Sequence, residues 1–516
     1  MSDEKKLDGG LKEGAAARGE RELGENAQAV GDPRGERLRA SSAGDDKVLR
    51  MGTASIPRLI TEFAIPSVVG MLINGSYAII DSVFLGHAVG EIGLSAMTVA
   101  NPIMIVFMAI AMLIGNGGNA LAALRLGEGK RDDAERVLGN VVSLSLIAAV
   151  IVLIIGWNPA LVSWVLDLAS ATPEVRPFAQ TFIQILCAGF ILQCIGLGVN
   201  NFIRTAGHPN RALGSMLVGT GANVVLGYLF IIVLDGGMRG AGLATVCSWA
   251  LSALFVMQFF LKKGSPMPLR RPSLSLDPRI ALRVCALGIA PCVTQLGFAV
   301  SSMIENNLLV LYGAADALGV DGALAVMRVL SAVGLFTFMP AMGIAMGAQP
   351  IVGYNYGARA YGRMKLVLVQ AIVLGIAITT PLWATVVLAP DLYAHLFGLP
   401  EIYMKETAWA LVLYLMFIPI LPIQTIGSNY FDATGQAAKA TVLTLTRQIL
   451  FLIPLLVFCP LVLPQVLPIT ALESVWLAPS ISDITSTLIV SGFLAFEWRR
   501  LRAAEAGEGS NGLHRA

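Results

Sequence analysis

The sequence is poor in charge: Asp, Glu, Lys and Arg together make up 14% of its 516 residues. A soluble domain is about one quarter charged, so this chain lacks the charge that a water-facing surface needs. Its six cysteines all lie in apolar runs without a CxxC pair, and its four histidines do not cluster. These shortages exclude a soluble enzyme and a secreted disulfide scaffold, and they argue against a metal centre.

Hydrophobic length is what the chain has instead. Its mean hydropathy is +0.71, and 55% of its residues are apolar. About 20 apolar residues cross a bilayer as a helix. The pattern therefore predicts an all-α membrane protein with twelve transmembrane helices, at 58–85, 94–121, 137–157, 177–203, 211–234, 240–261, 280–312, 321–348, 365–389, 403–430, 437–459 and 474–497.

The composition changes at the ends and near the middle. Residues 1–50 are rich in Gly, Ala, Arg and Glu and have no aromatic residue, which predicts a disordered cytoplasmic tail. A basic, proline-containing stretch at 262–283 is expected to link an N-lobe at 51–261, with helices 1–6, to a C-lobe at 284–500, with helices 7–12. Residues 501–516 form a second expected cytoplasmic tail.

Basic residues are unequally divided between the two sets of loops. The loops after helices 2, 4, 6, 8 and 10, counted from Arg125 to Lys439 and including Arg204, carry sixteen, whereas the other set carries three. The positive-inside rule then places both termini in the cytoplasm. The net charge of only +2 gives no indication of a nucleic-acid partner.

The chain also repeats itself. Landmarks recur 225 to 230 residues apart: Pro66 with Pro291, Gly117 with Gly347, and residues 201–207 with 429–435. Two six-helix halves that enter from the same side are expected to be related by a pseudo-two-fold axis along the membrane normal, with a cavity between them. That is a transporter architecture.

Ionisable residues inside the spans are functional candidates, because burying them in a membrane is costly. The set is Asp81, Glu305, Asp483, Arg328 and Arg447. Asp81 and Glu305 lie at similar depths in matching helices, which suggests cation handling. The alternatives are pairing of Glu305 with Arg328, interhelical hydrogen bonding by Asp483, and structural roles for both arginines.

One string of residues carries a family signature. The stretch from Gly347 to Ala358, with Gln349-Pro350-Ile351 and Gly353-Tyr354-Asn355-Tyr356-Gly357, resembles the loop 8–9 motif of the MATE family of transporters and, more narrowly, its MepA-like branch. Supporting stretches are Pro66 through Asp81, Gly117 through Gly127, Asn201 through Gly207, Gly240 through Thr245, and Ala478 through Asp483. The resemblance covers roughly residues 55–500.

The resemblance implies a MATE fold and secondary active efflux of organic cations, driven by protons or sodium and without a cofactor. Asp81 matches the cation-coupling aspartate of prokaryotic relatives, and Na⁺ at Asp81 is the one metal site implied. Further polar members of that network match Asn200, Asn223 and Thr245. Two positions depart from the family pattern, with Phe182 in place of a tyrosine and Gly227 in place of a second acid. Glu305 is a candidate to supply the missing acid.

The expected substrate cavity contains Tyr77, Glu305, Gln349 and Asp483. Tyr77 lies four residues before Asp81 and so shares its helix face. The expected protein is a monomer in the bacterial inner membrane, with a small organic cation and membrane lipid as partners.

Two other functions are weighed against efflux. A lipid-linked oligosaccharide flippase of the same superfamily needs a strongly cationic cavity, yet the spans hold two basic residues against three acids. A membrane-embedded lipid-modifying enzyme needs a catalytic cluster at a membrane face, and none is visible. The chain also has no Walker A loop for ATP and no HExxH motif.

Overall fold

The computed structural model describes residues 46–88, 90–168, 172–262, 265–397 and 400–513. Within these ranges, the side chains of 77–83, 85–88, 90, 91, 94, 165, 168 and 503–513 are outside the description.

Twelve long helices organise the described chain. They are α1 Ile56–Ala88, α2 Gly90–Gly127, α3 Arg131–Gly156, α4 Arg176–Thr205, α5 Pro209–Val233, α6 Gly237–Leu261, α7 Pro278–Gly313, α8 Gly319–Gly357, α9 Tyr361–Leu388, α10 Glu401–Ala433, α11 Ala437–Val466 and α12 Ala471–Leu513. Short helices stand at 46–53, Pro159–Leu168 and Pro390–Leu396.

All twelve helices are long and apolar enough to cross a membrane. In lipid, a helix satisfies every backbone hydrogen bond within itself, which explains why the apolar runs fold this way. Local signals set some of the ends: α7, for example, begins at Pro278, and the preceding Asp277 side chain accepts a hydrogen bond from the Arg279 amide. The all-helical fold and the number of spans predicted from the sequence are confirmed.

The structure corrects one predicted boundary and extends another element. Residues 46–53 form a helix, so the disordered tail predicted for 1–50 is wrong for residues 46–50, and residues 1–45 lie outside the description. The last helix continues to Leu513, through most of the stretch expected to form the second tail. Between α6 and α7, the described part of the linker contains a short 3₁₀ turn at Arg271–Leu274.

The repeat is visible in the backbone. Gly207 and Gly435 lie 228 residues apart and have φ values of 80° and 76°, which favour glycine. Each follows a helix end that closes in the same way. The amide of His208 bonds the carbonyl of Ile203, and the amide of Gln436 bonds that of Phe431. The same turn therefore ends α4 in the N-lobe (α1–α6) and α10 in the C-lobe (α7–α12).

Among the described residues, the two lobes share a hydrophobic core at one side. One hydrophobic cluster contains buried residues from both lobes, all near the ends of the helices that carry the basic loops, and we call this the basic side. Two further clusters lie toward the opposite, far side. One contains only N-lobe residues, and the other contains only C-lobe residues. The lobes therefore share a core at the basic side and have separate cores at the far side.

Candidate functional site

Glycines hold the two lobes together at a close seam, in which α2 packs against α7 and α1 against α8. A Cβ atom at Gly117 would overlap the carbonyl oxygen of Val284, and one at Gly288 would overlap that of Leu113. On the pseudo-symmetric contact, a Cβ atom at Gly347 would lie 2.8 Å from the carbonyl oxygen of Phe63. Small residues permit this backbone approach between membrane helices.

A chain of buried hydrogen bonds crosses the seam. Asn119 Nδ2 donates to Gln349 Oε1 over 3.2 Å, and these two positions are 230 residues apart in the repeat. On the N-lobe side, the Thr205 hydroxyl donates to Asn119 Oδ1 at 2.6 Å. On the C-lobe side, Gln349 Nε2 donates to Asp432 Oδ2 at 3.0 Å. Equivalent residues therefore meet at the seam, and the chain ends on a carboxylate.

A cavity of about 110 Å³ lies beside this chain, lined mainly by the C-lobe and closed on one side by the N-lobe, and we call it the central cavity. The N-lobe contributes Met112 and Asn116 of α2, and the C-lobe contributes α7, α8, α10 and α11. Its polar wall includes Gln424, Ser428 and Asp432, and its apolar wall includes Phe338, Met342 and Met346. Gln349, expected in a substrate cavity, lines it as well.

An ion pair stands at the C-lobe end of this cavity. Arg447 Nε donates to Asp483 Oδ1 at 2.7 Å, and the Arg447 guanidinium lies 5.5 Å from the centre of the Phe338 ring. Arg447 lines the cavity from a π-helical turn of α11, at Thr446–Leu452. Asp483 is 6% exposed and lies behind the arginine, so its carboxylate acts on the cavity through Arg447.

Glu305 is the second buried acid of the C-lobe named from the sequence. It lies on α7 and is 8% exposed, and its Oε1 atom has no hydrogen-bond partner. Arg328 is exposed on α8, and the structure places no ion pair between these two described residues. The alternative pairing of Glu305 with Arg328 is therefore wrong. Helices α7 and α8 form a hairpin, but the Arg328 side chain lies on the outer surface of that hairpin.

A second cavity, of about 130 Å³, lies within the N-lobe. Its lining comes from α1, α2, α4, α5 and α6 and includes Asn74, Gln193, Asn223, Ser248 and Trp249. The described residues that line it carry no formal charge. Asn223 Nδ2 is buried there without a hydrogen-bond partner. We call this the N-lobe cavity.

The other predicted coupling residues have local hydrogen bonds. Asn200 donates to the Ala212 carbonyl over 3.0 Å and also to Ser215, which joins α4 to α5. The Thr245 hydroxyl donates to the Ala241 carbonyl of its own helix over 3.0 Å. The structure therefore brings Asn223 into the N-lobe cavity and places Asn200 and Thr245 in the packing around it.

Two positions depart from the family pattern, and two predicted site residues fall on helix 1. Phe182 is fully buried in the far-side core of the N-lobe, and Gly227 would place a Cβ atom 3.3 Å from the Phe84 ring. Tyr77 and Asp81 fall on α1, but their side chains lie outside the description.

Asp432 and Arg204 are among the buried charged residues that sequence reasoning missed. Asp432 lies just beyond the predicted end of its span, and Arg204 was counted among the loop cations. The structure buries both, with Arg204 only 2% exposed and donating to Asn201. The repeat could have found them, because they occupy matching positions 228 residues apart in its third landmark.

The part of the chain that the structure describes contains no group of three or more His, Cys, Asp or Glu side chains that could hold a metal ion.

Comparison with known proteins decides the family, because the family model MatE matches residues 66–229 and 292–458, more than half of the chain. The chain belongs to the MatE family. The two matched stretches fall one in each lobe, in agreement with the repeat.

Relatives of this MatE chain are named as drug exporters. It is 24% identical over 407 residues to "Multidrug export protein MepA" of Staphylococcus haemolyticus, a match that covers 78% of this chain and 87% of that protein. The MepA protein of Staphylococcus saprophyticus is 22% identical, with coverage of 80% and 89%. The MepA-like resemblance stated from the motif is confirmed.

Solved structures share the fold. A MATE family transporter of the MOP superfamily in an outward-facing conformation superimposes with a TM-score of 0.80 at 22% identity, over 88% of this chain and 98% of that chain. The MATE multidrug transporter DinF-BH, solved in a complex, gives a TM-score of 0.78 at 29% identity, over 86% and 96% of the two chains.

Proposed function

We propose that this protein is a secondary active multidrug exporter, which exchanges amphipathic organic cations for protons or sodium by alternating access. The observation that carries the proposal is the arrangement of two lobes that share a core at one side and have separate cores at the other, with the central cavity beside their seam. A cavity at the joint of two pseudo-symmetric lobes is accessible from alternate sides when the lobes rock.

The distribution of charge supports an orientation for this exporter. We propose that the basic side faces the cytoplasm of a bacterial cell, together with both termini, because basic loops favour that side of the membrane. The seam then closes the central cavity to the cytoplasm, and the lobes are apart toward the outside. One chain contains both lobes and the cavity, so we propose that the monomer is the transporting unit in the membrane.

For coupling we propose Asp81, on the strength of its position in the sequence. It follows Asn74 by seven residues on α1, and Asn74 lines the N-lobe cavity together with Asn223. The described lining of that cavity has polar groups without formal charge. A carboxylate that joined them would be able to hold a proton or a sodium ion in competition with the drug. Asn200 and Thr245 are proposed to support the packing of this region.

A second coupling group is proposed at Glu305. The carboxylate is buried without an ion pair in the described chain, and one of its oxygens lacks a partner. Membranes make such a carboxylate costly unless it serves in proton or ion transfer. Each charge that moves across the membrane contributes about 2.3 kcal/mol per 100 mV. This free energy corresponds to a ratio of about fifty between the drug concentrations on the two sides of the membrane.

The test is ethidium movement in liposomes that contain the purified protein and a pH dye. A sodium gradient and a proton gradient are imposed in turn on wild type, Asp81→Asn and Glu305→Gln. We expect movement with one of the two gradients and its loss in Asp81→Asn. Undiminished movement in Glu305→Gln would remove Glu305 from the coupling, and no movement in wild type under either gradient would overturn the exporter.

The flippase alternative gains no support from the described charges. A pyrophosphate head group would need free cations in the central cavity. Arg447 is the cation that lines it, and Asp483 already neutralises Arg447, whereas Arg328 is exposed on the outer surface.

A further inference from the structure

Helix α10 presents a polar stripe to the central cavity. Gln424, Ser428 and Asp432 follow one another at intervals of four residues, so they share one helix face, and all three line the cavity. Each is less than one tenth exposed. The stripe ends at the carboxylate, beside the seam.

Two atoms of this stripe lack hydrogen-bond partners. They are Asp432 Oδ1 and the hydroxyl oxygen of Ser428. The other carboxylate oxygen of Asp432 accepts from Gln349 over 3.0 Å. A buried polar atom without a partner costs free energy, and a carboxylate costs more, unless a donor or a cation fills the site. The free atoms are therefore two buried acceptors, one turn apart, on residues that line the cavity.

The charge of the cavity favours a cation at that point. Arg447 and Asp432 are the charged residues that line it in the described chain. Arg447 is already paired with Asp483 at 2.7 Å. Asp432 has an amide donor but no ion pair among the described residues, so its ionised form has no compensating charge there. A positive ligand group is what restores neutrality.

The opposite wall is suited to an apolar body. Met112, Met342 and Met346 present flexible thioether side chains, and Phe338 presents an aromatic ring. Methionine surfaces adapt to ligands of different shape, and they form favourable contacts with aromatic groups. The two walls together match a molecule with an aromatic part and a cationic nitrogen.

We propose that Asp432, with Ser428, is the recognition site for organic ammonium ions that carry at least one N–H bond. Such an ion donates its N–H to the free Asp432 oxygen, and Ser428 accepts a second N–H where the ion has one. A quaternary ammonium ion has no N–H and gains only the charge attraction. Within the exporter proposed above, on which this inference rests, Asp432 thus discriminates between two classes of cationic drug.

The position of the site also connects the bound ammonium to the seam. Asp432 is one hydrogen bond from Gln349, and Gln349 is one hydrogen bond from Asn119 in the other lobe. An ammonium at the free Oδ1 atom of Asp432 shares this carboxylate with Gln349, which donates to the Oδ2 atom. Occupancy of the site thereby acts on one member of the hydrogen-bonded chain that joins the lobes.

The experiment compares two ligands that differ by one methyl group. The full-length protein in lipid nanodiscs is titrated by calorimetry at pH 7 with naphthylmethyl-dimethylammonium, which has one N–H, and with naphthylmethyl-trimethylammonium, which has none. Hydrogen bonds to charged groups contribute about 1.5–3 kcal/mol, so we expect wild type to bind the first ion about tenfold to a hundredfold more tightly. In Asp432→Asn the preference is expected to fall below about threefold.

Ser428→Ala tests the second acceptor with a primary naphthylmethylammonium ion, which we expect it to bind severalfold more weakly than wild type. The matched control is Asp391→Asn, which removes an equal charge from an exposed position outside the cavity and should keep the wild-type preference. Measurable binding of the quaternary ion, weaker in Asp432→Asn because the charge attraction is lost, shows that each variant is folded.

The outcomes separate this inference from the exporter itself. Wild-type affinities within about twofold of each other, or a preference that survives Asp432→Asn, would overturn the role of Asp432 while ethidium transport stood. Failure of wild type to bind either ion, together with no ethidium transport, would overturn the exporter.

Discussion

The two lobes share a backbone turn but place opposite charges next to it. In the N-lobe the position three residues before the turn glycine is Arg204, and in the C-lobe it is Asp432. Both are buried, yet Arg204 donates to Asn201 and Asp432 accepts from Gln349. The duplicated fold therefore fixes where a side chain sits, and its local hydrogen-bond partners decide which charge it can hold.

The cavities differ in the same sense. The described lining of the N-lobe cavity carries no formal charge. The central cavity has the Asp432 carboxylate, with one unpartnered oxygen, and the ion-paired Arg447 on its C-lobe side. The two lobes therefore have the same fold but offer cavities of different charge.

The largest expected effect concerns the two helix contacts of the seam, which differ in how closely their backbones approach. Gly117→Ala should cost about 3 kcal/mol and abolish ethidium export, because its Cβ atom would overlap a backbone oxygen. Gly347→Ala, at the matching position, should cost only about 1 kcal/mol, because its contacts are less close. Thermal unfolding and liposome export measure both effects. Gly221→Ala is the control, with nothing within 4 Å of the added atom. Equal losses at Gly117 and Gly347 would contradict the asymmetry.

The second effect concerns the buried ion pair between Arg447 and Asp483 in the C-lobe. The N-lobe position that matches Arg447 in the repeat is Gly219, so the N-lobe has no such pair at that place. Asp483→Asn leaves Arg447 without its partner and should cost about 3 kcal/mol in thermal unfolding. The double variant Arg447→Gln with Asp483→Asn should recover part of that loss, since it leaves no unpaired charge. Losses that simply add would show that the pair is not coupled.

The smallest effect is a pH dependence in the N-lobe alone. Burial lowers the pKa of His208, in the α4–α5 loop, to about 4; Lys47 and Arg211 add to this lowering, and a hydrogen bond with Ala206 opposes it. The neutral ring is favoured in the folded state, so its contribution is present above the unfolded pKa of about 6.5 and is lost as the pH falls toward 4.

The matching C-lobe residue is Gln436, which does not titrate, so His208→Gln makes the two loops alike. We expect this variant to lose about 1–2 kcal/mol of the acid-induced fall in stability between pH 7 and pH 4, measured by thermal unfolding. His395→Gln, an exposed change on the far side, should leave the slope as it is in wild type. An unchanged slope in His208→Gln would assign the acid sensitivity to other groups.

The sequence predicted the helices well because a membrane imposes one simple demand. Every span must be apolar for about 20 residues and must satisfy its own backbone, so α3 is visible as a long apolar run. The repeat was visible for a related reason, since Gly207 and Gly435 occupy turns that favour glycine. The predicted helix ends were less exact. Helix α10 extends to Ala433, beyond the expected end at residue 430, so the prediction left Asp432 outside the span.

The site was predicted in part. Gln349 and Asn223 line cavities, but Asp483 acts through Arg447, and Asn200 and Thr245 are in local packing. Sequence patterns gave no means of pairing residues from different helices. Arg328 and Arg447 were therefore equivalent candidates, and only the direction of each side chain from its helix separated them.

The sequence by itself determined the membrane class, the number of spans, the duplication and the family, because hydropathy, glycine turns and one motif are properties of local stretches. Only the tertiary structure decided that Asn119 meets Gln349, that Arg204 is buried, and that Asp432 has a free oxygen in a cavity. These depend on how closely the lobes approach each other, which follows from side-chain packing among helices that are hundreds of residues apart.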